Sequence, residues 1–332
     1  MARSPLTLAA LATSAVAGLD VTSAQRLGSG QPGSFEQAVL QVRGGGEVLV
    51  RVPRTQLADT RASTGLVALR ALSTGIRARL PFSISSVLGQ VPVGGTRAIV
   101  YDFLPGTVTA LSDIHAGDGL AGSIGRAIAA IHALPTSFVA DAALPVSRPL
   151  DALASSVAVM EQSVATGLVP AALVDRWERA TEDPGLWQFV PTVVHGSLAG
   201  ERVLRDGETV TAILGWETLA VADPATDLSW VLGAAAAEAS DSVFDAYNRA
   251  RGSTDRQIKK RAMLYAELEI AKWLLHGTST RSTETVDDAV RMLHNLVDVV
   301  QNDLNRSIDT NTSPVMTVDE VETMLDRNER SS

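Results

Sequence analysis

Residues 193–204 read Val-Val-His-Gly-Ser-Leu-Ala-Gly-Glu-Arg-Val-Leu, and a second stretch, Thr211-Ala212-Ile213-Leu214-Gly215-Trp216-Glu217, follows close behind. Ala222-Asp223-Pro224-Ala225-Thr226-Asp227-Leu228 completes the block. Arg202–Leu204 and Val210–Leu214 flank Asp206-Gly207, a dipeptide suited to a tight turn, so the block contains a small hairpin. Ser197, His195 and Asp223 invite comparison with a nucleophile, a base and an orienting acid. Ser197 and His195 stand two apart on one tight loop, which denies them the side-chain geometry of a triad.

Working outward, short apolar runs with Gly and Pro punctuation fill residues 20–105. They predict a small antiparallel sheet with one helix inserted at about 56–73. Leu27-Gly28-Ser29-Gly30-Gln31-Pro32-Gly33 has the Gly-x-Gly-x-x-Gly spacing that lets backbone amides approach phosphates, a weak signal alone because small residues also serve hairpins. Gly44-Gly45-Gly46 reads as a hairpin turn before the strand Glu47–Arg54. From about 117 onward helical periodicity dominates, with candidate helices at 117–134, 150–165, 170–181, 225–238, 240–251, 255–276 and 282–306. The class is α+β: a β-rich lobe over 1–104, a helical lobe over 105–306, and a tail over 307–332. In the tail, Thr317-Val318-Asp319-Glu320 has capping-box spacing. Val318, Val321, Met324 and Leu325 would line one short helix, which either docks on its own chain or meets a partner.

The block 193–228 resembles the catalytic region of the aminoglycoside and macrolide phosphotransferases, a branch of the protein-kinase-like fold. That family's loop runs His-Gly-Asp-Leu-His-x-x-Asn, and its later motifs are Asp-Trp and Gly/Ala-Asp-Pro-x-x-Asp-Leu. Here His195, Gly196, Leu198, Trp216, Asp223, Pro224, Asp227 and Leu228 fall on the pattern. Ser197 stands at the position of the catalytic base, and Arg202 and Gly215 stand at the two metal-ligand positions. The framework is matched and the reactive positions are altered.

The resemblance extends over roughly residues 20–300. It places Arg51 where the family has a phosphate-contacting lysine; no lysine precedes Lys259. A guanidinium fork and a compact ammonium are not interchangeable at a tight site. The helix at about 56–73 carries no glutamate to pair with that residue, although the family's helix does. Ile99–Gly106 resembles the hinge strand whose backbone reads an adenine, and Gly125–Leu134 the helix after it. The implied nucleotide cleft comprises Gly28, Gly30, Gly33, Arg51, Tyr101, Asp102, Phe103 and Arg202. His195 is expected to order the loop, and Asp223 and Asp227 to brace it.

The substitutions bear directly on phosphoryl transfer, which depends on positioning and charge neutralisation. Losing a general base forfeits about 10²–10⁴ in rate, and a serine hydroxyl is scarcely basic at neutral pH. A cation at 202 would repel a metal, and a glycine at 215 offers no ligand. Arg202 either presents its guanidinium to a phosphate or closes a salt bridge with Glu201, Asp223 or Asp227. Glu217 reads as framework. A catalytically degenerate protein, acting by ligand binding or scaffolding, is therefore expected. The rival is an active ATP-dependent small-molecule kinase that uses relocated acids such as Glu201 or Glu217; nucleotidyl transfer on the same cleft ranks behind it. ATP or another nucleotide is the candidate cofactor, and magnesium is not expected.

Composition narrows the remaining classes. The chain has 332 residues, 45% of them hydrophobic, and no cysteine, which excludes disulfides and thiolate chemistry. Residues 1–106 carry ten Arg against five Asp and Glu, whereas the rest carries eighteen basic against thirty-two acidic residues. An acidic helical lobe argues against nucleic acid as a partner, leaving a small-molecule ligand or another protein. Arg249, Arg251 and the group Arg256, Lys259, Lys260 and Arg261 read as solvated helix faces. Residues 5–17 are apolar and end in Ala15-Val16-Ala17, like a signal-peptide cleavage site, but only Arg3 precedes them and Thr7, Thr13 and Ser14 interrupt the run. They are too few to span a bilayer. An amino-terminal helix packed on the small lobe is expected, and with it a cytoplasmic protein without membrane partners.

Overall fold

The computed structural model describes residues 3–27, 33–233, 236–252 and 255–310, and side chains up to 299. Helix α1 (Pro5–Ala15) begins at Ser4, whose hydroxyl accepts the Thr7 N–H at 3.1 Å. Pro5, first in the helix, has no amide hydrogen to leave unsatisfied. Strands β1 (Val21–Arg26), β2 (Phe35–Val42), β3 (Glu47–Pro53), β4 (Val87–Val93) and β5 (Thr96–Asp102) form one antiparallel sheet in the order β1-β2-β3-β5-β4. Helix α2 (Gln56–Ala71) and the single turn α3 (Thr74–Arg77) lie between β3 and β4 in sequence.

Strand alternation decides what each face does. Val48, Val50 and Val52 of β3 and Ala98 and Val100 of β5 are buried with Leu8, Ala9 and Ala12 of α1. The expected amino-terminal helix is thus the cover of this face. The opposite face carries Ile99, packed with Ala62 and Leu66 of α2, with Phe35 and Tyr101 alongside. Arg51 alternates with Val50 and Val52 and so belongs to this second face.

The remaining elements are β6 (Thr107–Val108), α4 (Leu120–His132), α5 (Ser137–Asp141), α6 (Pro149–Val164), α7 (Ala171–Glu182) and β7 (Thr192–Val194). After them come β8 (Val203–Asp206), β9 (Thr209–Ile213), β10 (Ala220–Ala222), α8 (Ala237–Arg251), α9 (Ile258–Thr280) and α10 (Thr283–Thr310). The hairpin expected at Asp206-Gly207 is β8–β9, with β6 added at its edge; β7 pairs with β10. Ile124, Ile128 and Ile131 of α4 share a buried cluster with Ile213, Trp216, Leu219, Leu228 and Val231, and with Val243, Phe244 and Tyr247 of α8.

Contacts divide the chain into two compact units, Met1–Val157 with Ala180–Ala266, and Ala158–Arg179 with Glu267–Ser332. Both the sheet and the block 193–228 fall in the first, so a boundary at residue 105 is not where the compact units divide. In the second unit the fully buried Trp177 donates its indole N–H to Glu267 at 2.8 Å, and Arg176 pairs with the same carboxylate at 2.9 Å. The tail residues expected to form a short helix lie outside the described residues.

Two expectations are corrected. Residues 225–238 are not one α-helix: a 3-10 helix occupies Pro224–Gly233, and α8 starts at Ala237. An α-helix would set positions 223 and 227 on one face, whereas Asp223 and Asp227 bind different elements. Arg261 is not solvated, unlike the exposed Arg256, Lys259 and Lys260. It shares one face of α9 with Ile258, Ala262 and Tyr265, and its fully buried guanidinium pairs with Asp223 at 2.7 Å and Asp255 at 2.6 Å. Burial alone would lower its pKa, but the bonds to Asp255 and Asp223 raise it above the ordinary value. Tyr265 donates to Asp223 at 2.7 Å, and the Arg261 guanidinium carbon lies 4.6 Å above the Phe189 ring.

Removing one member of a buried ion pair strands the other charge. Arg261→Met should therefore lower the unfolding free energy in urea by about 3–5 kcal/mol; a loss under about 1 kcal/mol would contradict this assignment.

Candidate functional site

The loop after β7 is held by a carboxylate and a ring. Asp227 is wholly buried and accepts the His195 N–H at 2.6 Å and the Gly196 N–H at 2.8 Å. His132 reaches the same carboxylate through Nε2 at 3.3 Å and contacts the Tyr247 hydroxyl through Nδ1 at 2.9 Å. Burial would raise the pKa of Asp227, but these bonds hold it below the usual carboxylate value. Gly196 has φ +84°, and a Cβ there would stand 2.5 Å from the Thr218 carbonyl oxygen, so the loop requires glycine.

His195 works as a strut. With Nε2 donating to the Leu214 carbonyl at 2.9 Å, its Nδ1 accepts the Ser197 amide at 3.4 Å. The ring stands edge-on to Trp216, with centroids 4.8 Å apart. Burial, the largest influence, holds the imidazole below its ordinary pKa, consistent with this neutral tautomer. The Ser-His-Asp arrangement is absent, since His195 meets the serine amide and Asp223 is bound to Arg261. Of the two expected bracing carboxylates, Asp227 reaches the loop, whereas Asp223 instead anchors α9.

Ser197 is also spoken for. Its Oγ lies 2.5 Å from Thr218 Oγ1, which donates its only hydroxyl proton to the His195 carbonyl at 2.8 Å. The serine proton must then point to Thr218, leaving only lone pairs of a weakly basic hydroxyl for any other group. Thr218 was not legible as a site residue, because no motif position marks it.

Arg202 and Gly215 turn out to be one feature. Arg202 Nη1 donates to the Gly215 carbonyl at 2.7 Å and pairs with Glu217 Oε1 at 3.1 Å. Gly215 is left-handed (φ +81°), and a Cβ there would stand 2.5 Å from that same Nη1. The guanidinium therefore fills the space that a side chain at 215 would enter. This corrects the expected pairing of Arg202 with Glu201, Asp223 or Asp227. The 3-10 turn Trp216–Thr218 brings Glu217 round to it, while Asp223 and Asp227 are committed elsewhere and Glu201 is exposed.

Arg51 faces the same region from the sheet. Its guanidinium carbon lies 4.0 Å above the Phe35 ring, and its Nε is buried without a hydrogen-bond partner. Burial lowers its pKa; Tyr101 and Glu217 partly restore it, and Arg202 lowers it further. All four side chains thus lie in one electrostatic neighbourhood. Across from them, a Cβ on Gly65 of α2 would be 3.8 Å from Glu217 Cβ.

Tyr101 shares the Arg51 face, and burial pushes its phenol above the ordinary value. Asp102 and Phe103 are turned to the sheet: their N–H groups go to Ser86 O at 3.1 Å and Glu47 O at 3.2 Å. Their amides are therefore not free for a ligand. Gly33 precedes β2, and Gly28 and Gly30 lie outside the described residues.

Residues 28–263 match the sequence profile of the phosphotransferase enzyme family. Among solved structures, the apoenzyme of macrolide 2′-phosphotransferase MphH from Brachybacterium faecium is 22% identical, with a TM-score of 0.72 over 87% of this chain and 98% of that one. A macrolide 2′-phosphotransferase type I is 22% identical (TM-score 0.68, 87% and 95% covered). The GDP complex of aminoglycoside 2′-phosphotransferase-IIIa is 16% identical (TM-score 0.72, 88% and 98% covered). At these identities the likeness bears on the kinase-like fold, a sheet lobe with a helical lobe, and not on a ligand. No curated protein matches the chain.

If Arg202 excludes a side chain at 215, the two positions must couple. Gly215→Asp alone should cost about 2 kcal/mol or more, from left-handed strain and a displaced guanidinium. In an Arg202→Asn background it should cost less by about 1–3 kcal/mol. Denaturant unfolding of the double-mutant cycle checks this, and additivity within about 0.5 kcal/mol would refute the coupling.

Proposed function

The chain belongs to the phosphotransferase enzyme family, and from that premise we propose that it is a catalytically degenerate member. It acts by holding a ligand or a protein partner and does not transfer phosphoryl groups. The observation that carries this reading is the Arg202 guanidinium, seated on the Gly215 carbonyl and Glu217, at the positions where the motif resemblance implies metal ligands.

The residues do not fit a divalent cation. A fixed positive charge occupies the space, Gly215 contributes no side chain, and the nearest carboxylate is already paired. Among the described residues no three His, Asp or Glu side chains gather to hold an ion elsewhere. The base position gives the same answer, because Ser197 directs its proton at Thr218 and offers no comparably basic group. Loss of the base alone removes about 10²–10⁴ in rate, and loss of charge neutralisation compounds it.

An active kinase built on relocated acids finds less support. Glu217 would have to give up Arg202 to serve as a ligand or base, and Glu201 is exposed. Among the described residues no helix is long and apolar enough to cross a membrane. That agrees with the cytoplasmic residence we propose, with a small molecule or a protein as partner.

The decisive assay follows ATP and GTP consumption with magnesium and a panel of hydroxylated acceptors. The wild type should show no turnover above background; acceptor-dependent turnover would overturn the proposal. Ser197→Asp, Arg202→Asn and Gly215→Asp combined should acquire a magnesium-dependent rise in melting temperature with ATP. No such rise would argue that the sheet side of the cleft is also unsuited to the nucleotide.

A further inference from the structure

We propose that Arg51 and Arg202 together form a metal-independent site for a phosphate-class anion. This rests on the reading above, that no divalent cation is held beside them.

The first observation is the unpaid debt of Arg51. Its Nε is buried with no hydrogen-bond partner, and no carboxylate of a described residue lies within 4.0 Å of its guanidinium. A buried donor without an acceptor costs about 1–3 kcal/mol, and more when it is charged. The ring of Phe35, with its centroid 4.0 Å from the guanidinium carbon, offers a cation–π contact but no lone pair to accept an N–H. Water or an incoming acceptor satisfies such a group, and a charged oxyanion does so most strongly.

The second observation is independent of the first. Arg202 spends Nη1 on the Gly215 carbonyl and on Glu217, and its Nε and Nη2 make no hydrogen bond to any described residue. One edge of the fork is anchored and the other remains available. The two guanidiniums act on one another, with the Glu217 carboxylate and the neutral phenol of Tyr101 beside Arg51. The excess positive charge lies in a region of reduced dielectric, where a dianion is attracted more strongly than in water.

The ligand chemistry follows from the donors. Planar forks bind tetrahedral and planar oxyanions through paired N–H groups, and two of them suit a group with several equivalent oxygens. A terminal phosphate, whether free or at the end of a nucleotide's phosphate chain, has that form. In place of a metal, Arg202 supplies the neutralising charge. Such a charge serves binding, because a guanidinium locked to the backbone cannot also coordinate an attacking or leaving oxygen as an ion would.

The test is calorimetric titration of the full-length chain in EDTA with inorganic phosphate, tripolyphosphate, ATP and adenosine. At least one phosphate should bind without magnesium, and Arg51→Met and Arg202→Met should each weaken it about tenfold or more. Arg51→Lys and Arg202→Lys, which keep the charge and lose the fork, should fall between; Glu217→Gln should tighten binding by removing the competing carboxylate. Circular dichroism on each variant separates lost binding from lost fold. Tripolyphosphate binding as well as ATP identifies the phosphate chain as the ligand, whereas ATP binding alone identifies a nucleotide; either supports the site. Absence of binding by every phosphate, or binding indifferent to both methionine substitutions, would overturn the inference while leaving a turnover-free protein intact. Binding absent in EDTA but present in a parallel titration with magnesium in place of EDTA would overturn both.

Discussion

A carboxylate with no access to solvent must find its partners inside the protein, and Asp227 finds three. Two are consecutive backbone amides of the loop after β7, and the third is His132 on α4. These bonds keep a buried negative charge from becoming prohibitive, since an isolated one would neutralise or unfold its surroundings. They also tie together the 3-10 segment Pro224–Gly233, the loop and α4. His195 adds a second constraint by spanning from Ser197 N to Leu214 O, across the hairpin. The path of the loop is therefore set by groups that fold the chain, whatever residue occupies position 197.

That separation lets the loop keep its path while positions 197, 202 and 215 vary. Ser197, Arg202 and Gly215 are not among the groups that satisfy Asp227. Ser197 is engaged with Thr218 instead, and Arg202 with the Gly215 carbonyl and Glu217. Gly215 makes room for the guanidinium, and the guanidinium is held by the carbonyl that left-handed Gly215 presents. Glu217 offsets its charge, and among the described residues no carboxylate pairs with Arg51. The region thus carries two guanidiniums, Arg51 and Arg202, with Glu217 paired to the second.

The fold was legible because its signals are local and repeated. Alternating Val48, Val50 and Val52 marks a strand, Asp206-Gly207 a hairpin, and three glycines at 44–46 a turn; each survives in the structure. Arg261 was misread because a run of basic residues suggests solvent. Its helical position beside Ile258, Ala262 and Tyr265 was the better guide. The break in 225–238 was hidden because apolar spacing does not distinguish an α-helix from a 3-10 helix whose two aspartates serve different elements. The altered site positions could be read by alignment to the motifs, but their geometry could not. That Arg202 turns to Glu217 depends on a 3-10 turn, and that Ser197 donates to Thr218 depends on a contact 21 residues apart in sequence.

The central claim is that a guanidinium stands where a metal would otherwise be bound, and manganese tests it without reference to turnover. Mn²⁺ gives a paramagnetic resonance signal that diminishes on binding to protein. If Arg202 replaces the ion, adding the wild-type chain to a fixed concentration of Mn²⁺ without nucleotide leaves the signal of the aquo ion unchanged. A stoichiometric loss of that signal, reversed by magnesium, would mean that the cleft holds a divalent ion despite Arg202, and would contradict the account.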